Sequence, residues 1–437
     1  MRRFSALAVF LLFFAGCSES ANPVSLEVLG GYGASSFAIS DFSMIELDLG
    51  ATAGSAVCDI NDRGQVVGYS YPAEYSGYLA VGFIWSEVDG YFLIEFPGQG
   101  NTRERFQPVA INNNGVILGE YFSSYYAKGE VAIWSETAGL QKLGVTTYVT
   151  LMGGINDANE VVAQIYDPFY NNQAMYWSEA TDVQYMQDSG PYARAYDINR
   201  SSQISAWDRN ALIWTPDGSK TELGHGGHGF AINNNGDITG RFGNGAFFQP
   251  SGGSVIMIGD LGYPYGDRGA GWDLNDAGVV VGESYDVNSR QQPSIWNMES
   301  GIQQLPIPVD SYGGVAQGIN EAGTVAGHYW PLNSPSRAVI WVSAPATPEA
   351  LMAEVVASLA ELVQAGNLPA NNADALINKV ELAAKKLAKN NPEGALGSLQ
   401  AAINQLFAFM NARKLAEDLG MELVTTLQSV IDMIKTP

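Results

Sequence analysis

The side chains that most readily do chemistry are scarce in this sequence. There are three histidines, and two of them, His225 and His228, stand as H-x-x-H inside GHGGHG. Zinc requires three or four ligands held in a structured shell, and the remaining histidine, His328, follows about 100 residues later. The pair therefore reads as polar turn residues, and no metal or cofactor is expected. Asp59-Ile60-Asn61-Asp62-Arg63-Gly64 and the stretch from Asp273 to Gly278 carry part of the oxygen pattern of a calcium loop. Such a loop needs ligands at alternating positions and a distal Glu, but Arg63 and Ala277 stand where ligands should be. Turn chemistry is the better account. No G-x-S-x-G elbow presents a serine nucleophile, and no catalytic residue is assigned. The 45 acidic residues still allow many carboxylate pairs. A polysaccharide lyase or glycoside hydrolase therefore stays open as an alternative.

The aromatic residues carry a stronger signal. Tyr71, Tyr75 and Tyr78, then Tyr125 and Tyr126, Tyr170, Tyr285, Tyr329 and Trp330 fall in segments of varying length between recurrent apolar motifs. Rings on variable loops of a rigid scaffold suit stacking on sugar faces or anchoring a protein. The competing account packs part of these rings inside the fold. The expected function is non-enzymatic binding or adhesion at a cell surface, with carbohydrate or a surface protein as partner. A structural envelope component is a further alternative. The formal net charge is −23, and Lys128, Lys142 and Lys220 are the only lysines between the N-terminal segment and residue 346. Such a surface repels phosphate backbones, which argues against nucleic acid as a partner.

The elements that must position these loops repeat seven times. The first part of each repeat ends in an I-N-x-x-G turn and a V-V-G-like strand, as in AVCDINDRGQVVG (56–68) and GWDLNDAGVVVG (271–282). The anchor residues are Asn61, Asn112, Asn156, Asn199, Asn233, Asn275 and Asn320, spaced 51, 44, 43, 34, 42 and 45 apart. The turn needs a residue tolerant of positive φ, which Gly supplies. Asn159 is a tolerant substitute, whereas Ser202 is a poor one and predicts a distorted hairpin. The anchor Asn is suited to bonding nearby backbone and fixing the turn. The V-V-G strand is expected to lie innermost. An apolar strand ending in Trp follows, as in GFIW (82–85) and AVIW (338–341), with Gln249 the one exception. A further strand then appears six times, and the seventh copy stands ahead of the first repeat as MIELDLG (44–50). Surplus at one end and deficit at the other predict circular closure, which removes an exposed sheet edge. A period near 43 residues is that of propeller blades. The expected fold is an all-β seven-bladed β-propeller over 25–345, a linker at 346–348 and a small all-α helical bundle over 349–437.

Three resemblances extend this reading. Arg2, Arg3 and the apolar run 6–15 form a signal-peptide pattern too short to span a bilayer. Phe14-Ala15-Gly16-Cys17 resembles the bacterial lipobox, which implies a 1–17 leader and a lipid on Cys17 as the sole membrane attachment. Ser18 after it implies export to the outer membrane or cell surface. The Asn-Gly core and Trp strand over roughly 40–345 resemble the HAF-repeat family of bacterial extracellular proteins, although the His-Ala-Phe triplet is absent. That resemblance implies an extracellular repeat protein with no assigned activity. At the C-terminal end, helical spacings appear, with Gly366 as a stop and Asn391-Pro392 as a helix start. LQAAINQLFAFMNA (399–412) resembles the FIMAH-type modules of bacterial surface proteins, which implies an accessory or interaction role. Cys58, in an apolar stretch, reads as a small buried residue.

Overall fold

The computed structural model describes residues 42–50, 52–72, 80–94, 104–124, 127–147, 152–166, 172–186, 192–224, 226–343, 347–364 and 366–435. The leader and Cys17 lie outside them. Seven four-stranded antiparallel sheets form the blades, each running in simple sequence order from its first strand to its fourth. The exception is blade 7, whose fourth strand is Phe42–Glu46, paired antiparallel with Arg337–Ser343 in the register Phe42↔Ser343 to Glu46↔Val339. The expected closure is thus realised, two residues earlier than the sequence pattern placed it. Leu47 extends it by donating its N–H to the Ala338 carbonyl. Tyr329 locks it from the side, with its hydroxyl 3.0 Å from Glu46 Oε2.

The apolar core is divided into wedges between neighbouring blades. One joins Leu118 and Val131 of blade 2 to Val161 and Met175 of blade 3, and another joins Val281 of blade 6 to Trp341 and Phe42 of blade 7. The valine pairs of the V-V-G strands supply their centres: Val66, Val67, Val161 and Val162 are fully buried.

The V-V-G strand is second from the axis, which corrects the expectation that it is innermost. The strand leading into I-N lies at the axis, where the inner strands of adjacent blades touch all the way round. Crowding explains the order. In four blades the residue two before the anchor Asn is small, namely Ala110, Gly154, Ala231 and Gly318, and in the other three it is an aspartate that bonds to the next blade. The inner strand carries a β-bulge in most blades, for example between Val57 and Asp59 and between Gly271 and Asp273. Opposite the bulge a carbonyl presses on the V-V-G strand. A Cβ on Gly282 would sit 1.9 Å from the Ala270 carbonyl oxygen, and one on Gly68 2.1 Å from that of Ala56. The glycine of V-V-G is therefore a close-approach glycine.

The turn residue takes positive φ as expected: 71° at Gly64, 60° at Asn159 and 58° at Ser202. The Ser202 hairpin is not distorted. Ser202 N donates to Asn199 O at 3.1 Å, as its glycine counterparts do, and Ser202 Oγ adds a 2.6 Å bond to Glu160 Oε2. That extra bond offsets the left-handed strain, which costs about 1 kcal/mol.

Beyond the propeller four helices run α1 (Pro348–Gln364), α2 (Ala370–Leu387), α3 (Pro392–Asn411) and α4 (Glu417–Lys435). Asn391 caps α3 by accepting from Gly394 N at 3.0 Å, with Pro392 in the first turn. Gly366, at φ 75°, follows the end of α1. Leu359, Leu376, Val380, Leu399, Leu406 and Leu427 centre the bundle's own core. Among the described residues no helix is long and apolar enough to cross a membrane.

Candidate functional site

The inner strands ring the propeller axis, and the two ends of that axis differ chemically. At the end where the I-N-x-x-G turns lie, a cavity of about 180 Å³ is walled by those turns. Each anchor Asn passes one side-chain N–H to the backbone carbonyl of the anchor Asn in the next blade. The distances are 2.9 Å from Asn61 to Asn112, 2.9 Å to Asn156, 3.1 Å to Asn199, 2.9 Å to Asn233, 3.0 Å to Asn275 and 3.3 Å to Asn320. Asn320 returns to Asn61 at 3.2 Å and closes the circle. The side-chain oxygen meanwhile accepts from its own turn, as from Ser201 N and Gln203 N at Asn199. All seven are buried. Each anchor Asn thus bonds its own turn and also staples its blade to the next.

A second circle lies one residue further out. Asp62 N donates to Asn113, Asn113 N to Asp157, Arg200 N to Asn234, Asn234 N to Asp276, Asp276 N to Glu321 and Glu321 N to Asp62. Arg200 has no acceptor to offer Asp157 and lays its guanidinium toward it instead, at 4.0 Å.

Deeper in, Asp59, Asp197 and Asp273 stand two residues before the anchor. Each accepts the N–H of the residue after it and the N–H of the isoleucine before the next blade's anchor: Ile111 at 2.8 Å, Ile232 at 3.1 Å and Ile319 at 2.8 Å. Burial pushes their carboxyls up, to about 7 at Asp59 and about 6 at Asp197, and well above the ordinary value at Asp273, where repulsion from Asp59 adds to it. The backbone N–H groups pull the other way and lose. Sequence reasoning passed over this trio because it read D-I-N as turn chemistry alone.

The opposite end carries the loops between second and third strands and the connections between blades. Tyr265, Tyr312 and Tyr192 are 82%, 62% and 60% exposed there, all three on or beside the inter-blade connections. They lie outside the loops that the sequence pattern singled out. Of the rings expected on this face, Tyr71 is half-buried edge-on to Tyr69. Tyr285 is half-buried beneath the Arg268 guanidinium at 4.1 Å. Trp330 packs edge-on to His328. Tyr329 is only 6% exposed and belongs to the blade closure rather than to the surface. Tyr75, Tyr78, Tyr125, Tyr126 and Tyr170 lie outside the described residues, as does His225.

His228 is not a turn residue. It begins the inner strand of blade 5, stacked 4.7 Å from Trp207, with Nδ1 2.8 Å from the Tyr196 hydroxyl. Burial and the neighbouring arginines Arg194 and Arg241 push it down to about 4, so it is neutral near pH 7. Among the described residues no group of three or more His, Cys, Asp or Glu is arranged to hold a metal ion. Cys58 is half-buried in the inner strand of blade 1, and burial lifts its thiol to about 12, which leaves it protonated and unreactive.

The chain is therefore a seven-bladed β-propeller with a polar, self-bonded turn end and an aromatic loop end. No protein-family model matches it, and no curated protein does. Solved structures similar to it include TolB from Acinetobacter baumannii, at 13% identity and TM-score 0.39 over 55% of this chain and 62% of that one. Another is the acylaminoacyl peptidase of Pyrococcus horikoshii, at 12% and 0.47 over 69% and 54%. A third is the Aleuria aurantia lectin, at 11% and 0.30 over 58% and 80%. The chain thus spans about three fifths of that TolB and about half of that peptidase.

Proposed function

We propose that this is an exported, lipid-anchored surface protein that binds saccharide on the loop end of its propeller, without turning it over. The observation that carries this reading is the set of exposed rings at that end, Tyr192, Tyr265 and Tyr312, on a scaffold whose other end has its polar groups bonded to one another. A tyrosine ring offers a flat apolar face and a polar tip, which suits the C–H faces and hydroxyls of a sugar. Export and anchoring rest on the lipobox-like Phe14-Ala15-Gly16-Cys17 and the preceding apolar run. The extracellular HAF-type character rests on the repeated I-N-x-x-G and Trp-strand pattern, and an accessory role for the FIMAH-like module on the stretch 399–412.

The test is a glycan-binding screen on the chain from Ser18 onward, together with the double variant Tyr265→Ala/Tyr312→Ala. Wild type is expected to retain a subset of glycans unchanged, and the variant to lose them by about tenfold or more while melting within about 0.5 kcal/mol of wild type. Retention of a surface protein but no glycan would replace the ligand class.

A second reading has its own observation. Carboxyls raised toward neutrality cluster at catalytic sites, and Asp59, Asp197 and Asp273 are such groups on the inner strands. Release of reducing ends by wild type and not by Asp273→Asn would establish a hydrolase or lyase.

A further inference from the structure

We propose that the loop end of the propeller, where blades 4, 5 and 6 meet, is a site for a carboxylated saccharide, with Arg194 and Arg241 taking the carboxylate. The proposal rests on the saccharide reading above and narrows its ligand to an acidic sugar such as a uronate.

The floor of the site is a run of four rings. Trp207, His228, Phe230 and Trp272 stack in turn, with centroids 4.7, 6.1 and 4.8 Å apart and planes inclined by 21°, 25° and 14°. These four are half-buried.

Two guanidinium groups flank the run because the strand register puts them there. Arg194 pairs directly with Trp207 in blade 4, and Arg241 with His228 in blade 5. The Arg194 guanidinium carbon lies 5.6 Å from the Trp207 ring. Neither Arg194 nor Arg241 makes an ion pair with a carboxylate among the described residues. Burial raises the Glu283 carboxyl and the charge of Arg241 pulls against it, but this carboxylate makes its hydrogen bonds to Trp272 Nε1, at 3.4 Å, and to Gln291. His228 is neutral and does not add its own charge.

Two donors complete the picture. Arg194 Nε and Trp207 Nε1 are buried and have no hydrogen-bond partner. A buried donor left unmade costs about 1–3 kcal/mol, so an incoming acceptor recovers that cost. A uronate supplies both requirements: a planar carboxylate that matches an arginine fork, and a C–H face for an aromatic floor. A neutral sugar supplies only the second.

The probes are trigalacturonate and its fully methyl-esterified form, which share their ring faces and differ in charge. Titration calorimetry on the chain from Ser18 onward should show the acid bound at least about tenfold tighter than the ester. Arg241 is exposed, so Arg241→Gln should melt like wild type. It should bring the acid down to the affinity of the ester and leave the ester unchanged. Equal binding of acid and ester by wild type would overturn the proposal. So would an Arg241→Gln/Arg194→Gln variant of unchanged melting temperature that keeps the preference. If neutral glycans bind and neither galacturonate form does, this site fails while the wider saccharide reading stands. If no saccharide binds at all, both fail.

Discussion

At the turn end of the propeller Asn61 and its six counterparts each give an N–H to the next blade, and the seventh bond returns to the first residue. At the loop end Tyr265 and Tyr312 stand in solvent, and Arg194 has a buried N–H with no acceptor. Both ends are built from the same seven repeats. The difference shows which part of the repeat the fold needs. A circle of hydrogen bonds is satisfied only if every member is present, and a half-satisfied buried network is worse than none. The loop end has no such requirement, so its lengths and residues are free to vary, as expected where a rigid scaffold displays binding groups.

The comparison breaks most visibly at the closing strand. Removing residues 42–47 leaves blade 7 with three strands and exposes the edge of Arg337–Ser343. The propeller should then lose its cooperative unfolding transition and aggregate, as light scattering during a thermal melt would show. A truncated chain that melts with the parent would mean the ring is not held by that strand.

A single member of the circle should have a smaller but still large effect. Asn199 donates to Asn233 O at 2.9 Å and to Gln203 Oε1 at 2.8 Å, and accepts from two backbone N–H groups. Asn199→Ala should cost about 2–4 kcal/mol in urea unfolding. Asn199→Asp, which keeps both acceptances but sets a buried carboxylate oxygen against Asn233 O and Gln203 Oε1, should cost at least as much at neutral pH.

The smallest effect concerns pH. Asp59, Asp197 and Asp273 are raised above the ordinary 3.8, so the folded state holds more protons than the unfolded chain between about pH 4 and about pH 7. Their contribution to stability is complete at the acidic end and is lost as pH rises through the folded values. The urea midpoint should therefore fall from pH 4.5 to pH 7.5, values chosen to bracket roughly that window. Self-repulsion of the net charge of −23 acts in the same direction. Replacing all three by Asn separates the two sources, since the slope should flatten. An undiminished slope would assign it to the net charge instead.

Much of this was legible along the chain. The blade count, the closing strand, the positive-φ turns and the start of α3 follow from local rules of period, turn and cap, and each is set within a few residues of the motif that reports it. The layer order was not legible. V-V-G looks like an axial strand because it is apolar and ends in glycine. The glycine in fact answers a carbonyl displaced by a bulge in the neighbouring strand, as at Gly282 and Ala270. Nor was the site legible at the loop end. Trp207, His228, Phe230 and Trp272 come from three blades, and nothing in their spacing marks them as stacked.

The sequence by itself determined a ring of seven similar sheets sewn shut by its first strand, because each repeat specifies its own hairpins and its own need for a partner edge. Only the tertiary structure decided which residues meet across blades. The anchor asparagines became a circle, Asp59, Asp197 and Asp273 became clips with raised carboxyls, and two arginines came to flank a run of rings. Those meetings depend on how bulged strands converge on an axis, and a one-dimensional pattern of polar and apolar residues does not record that geometry.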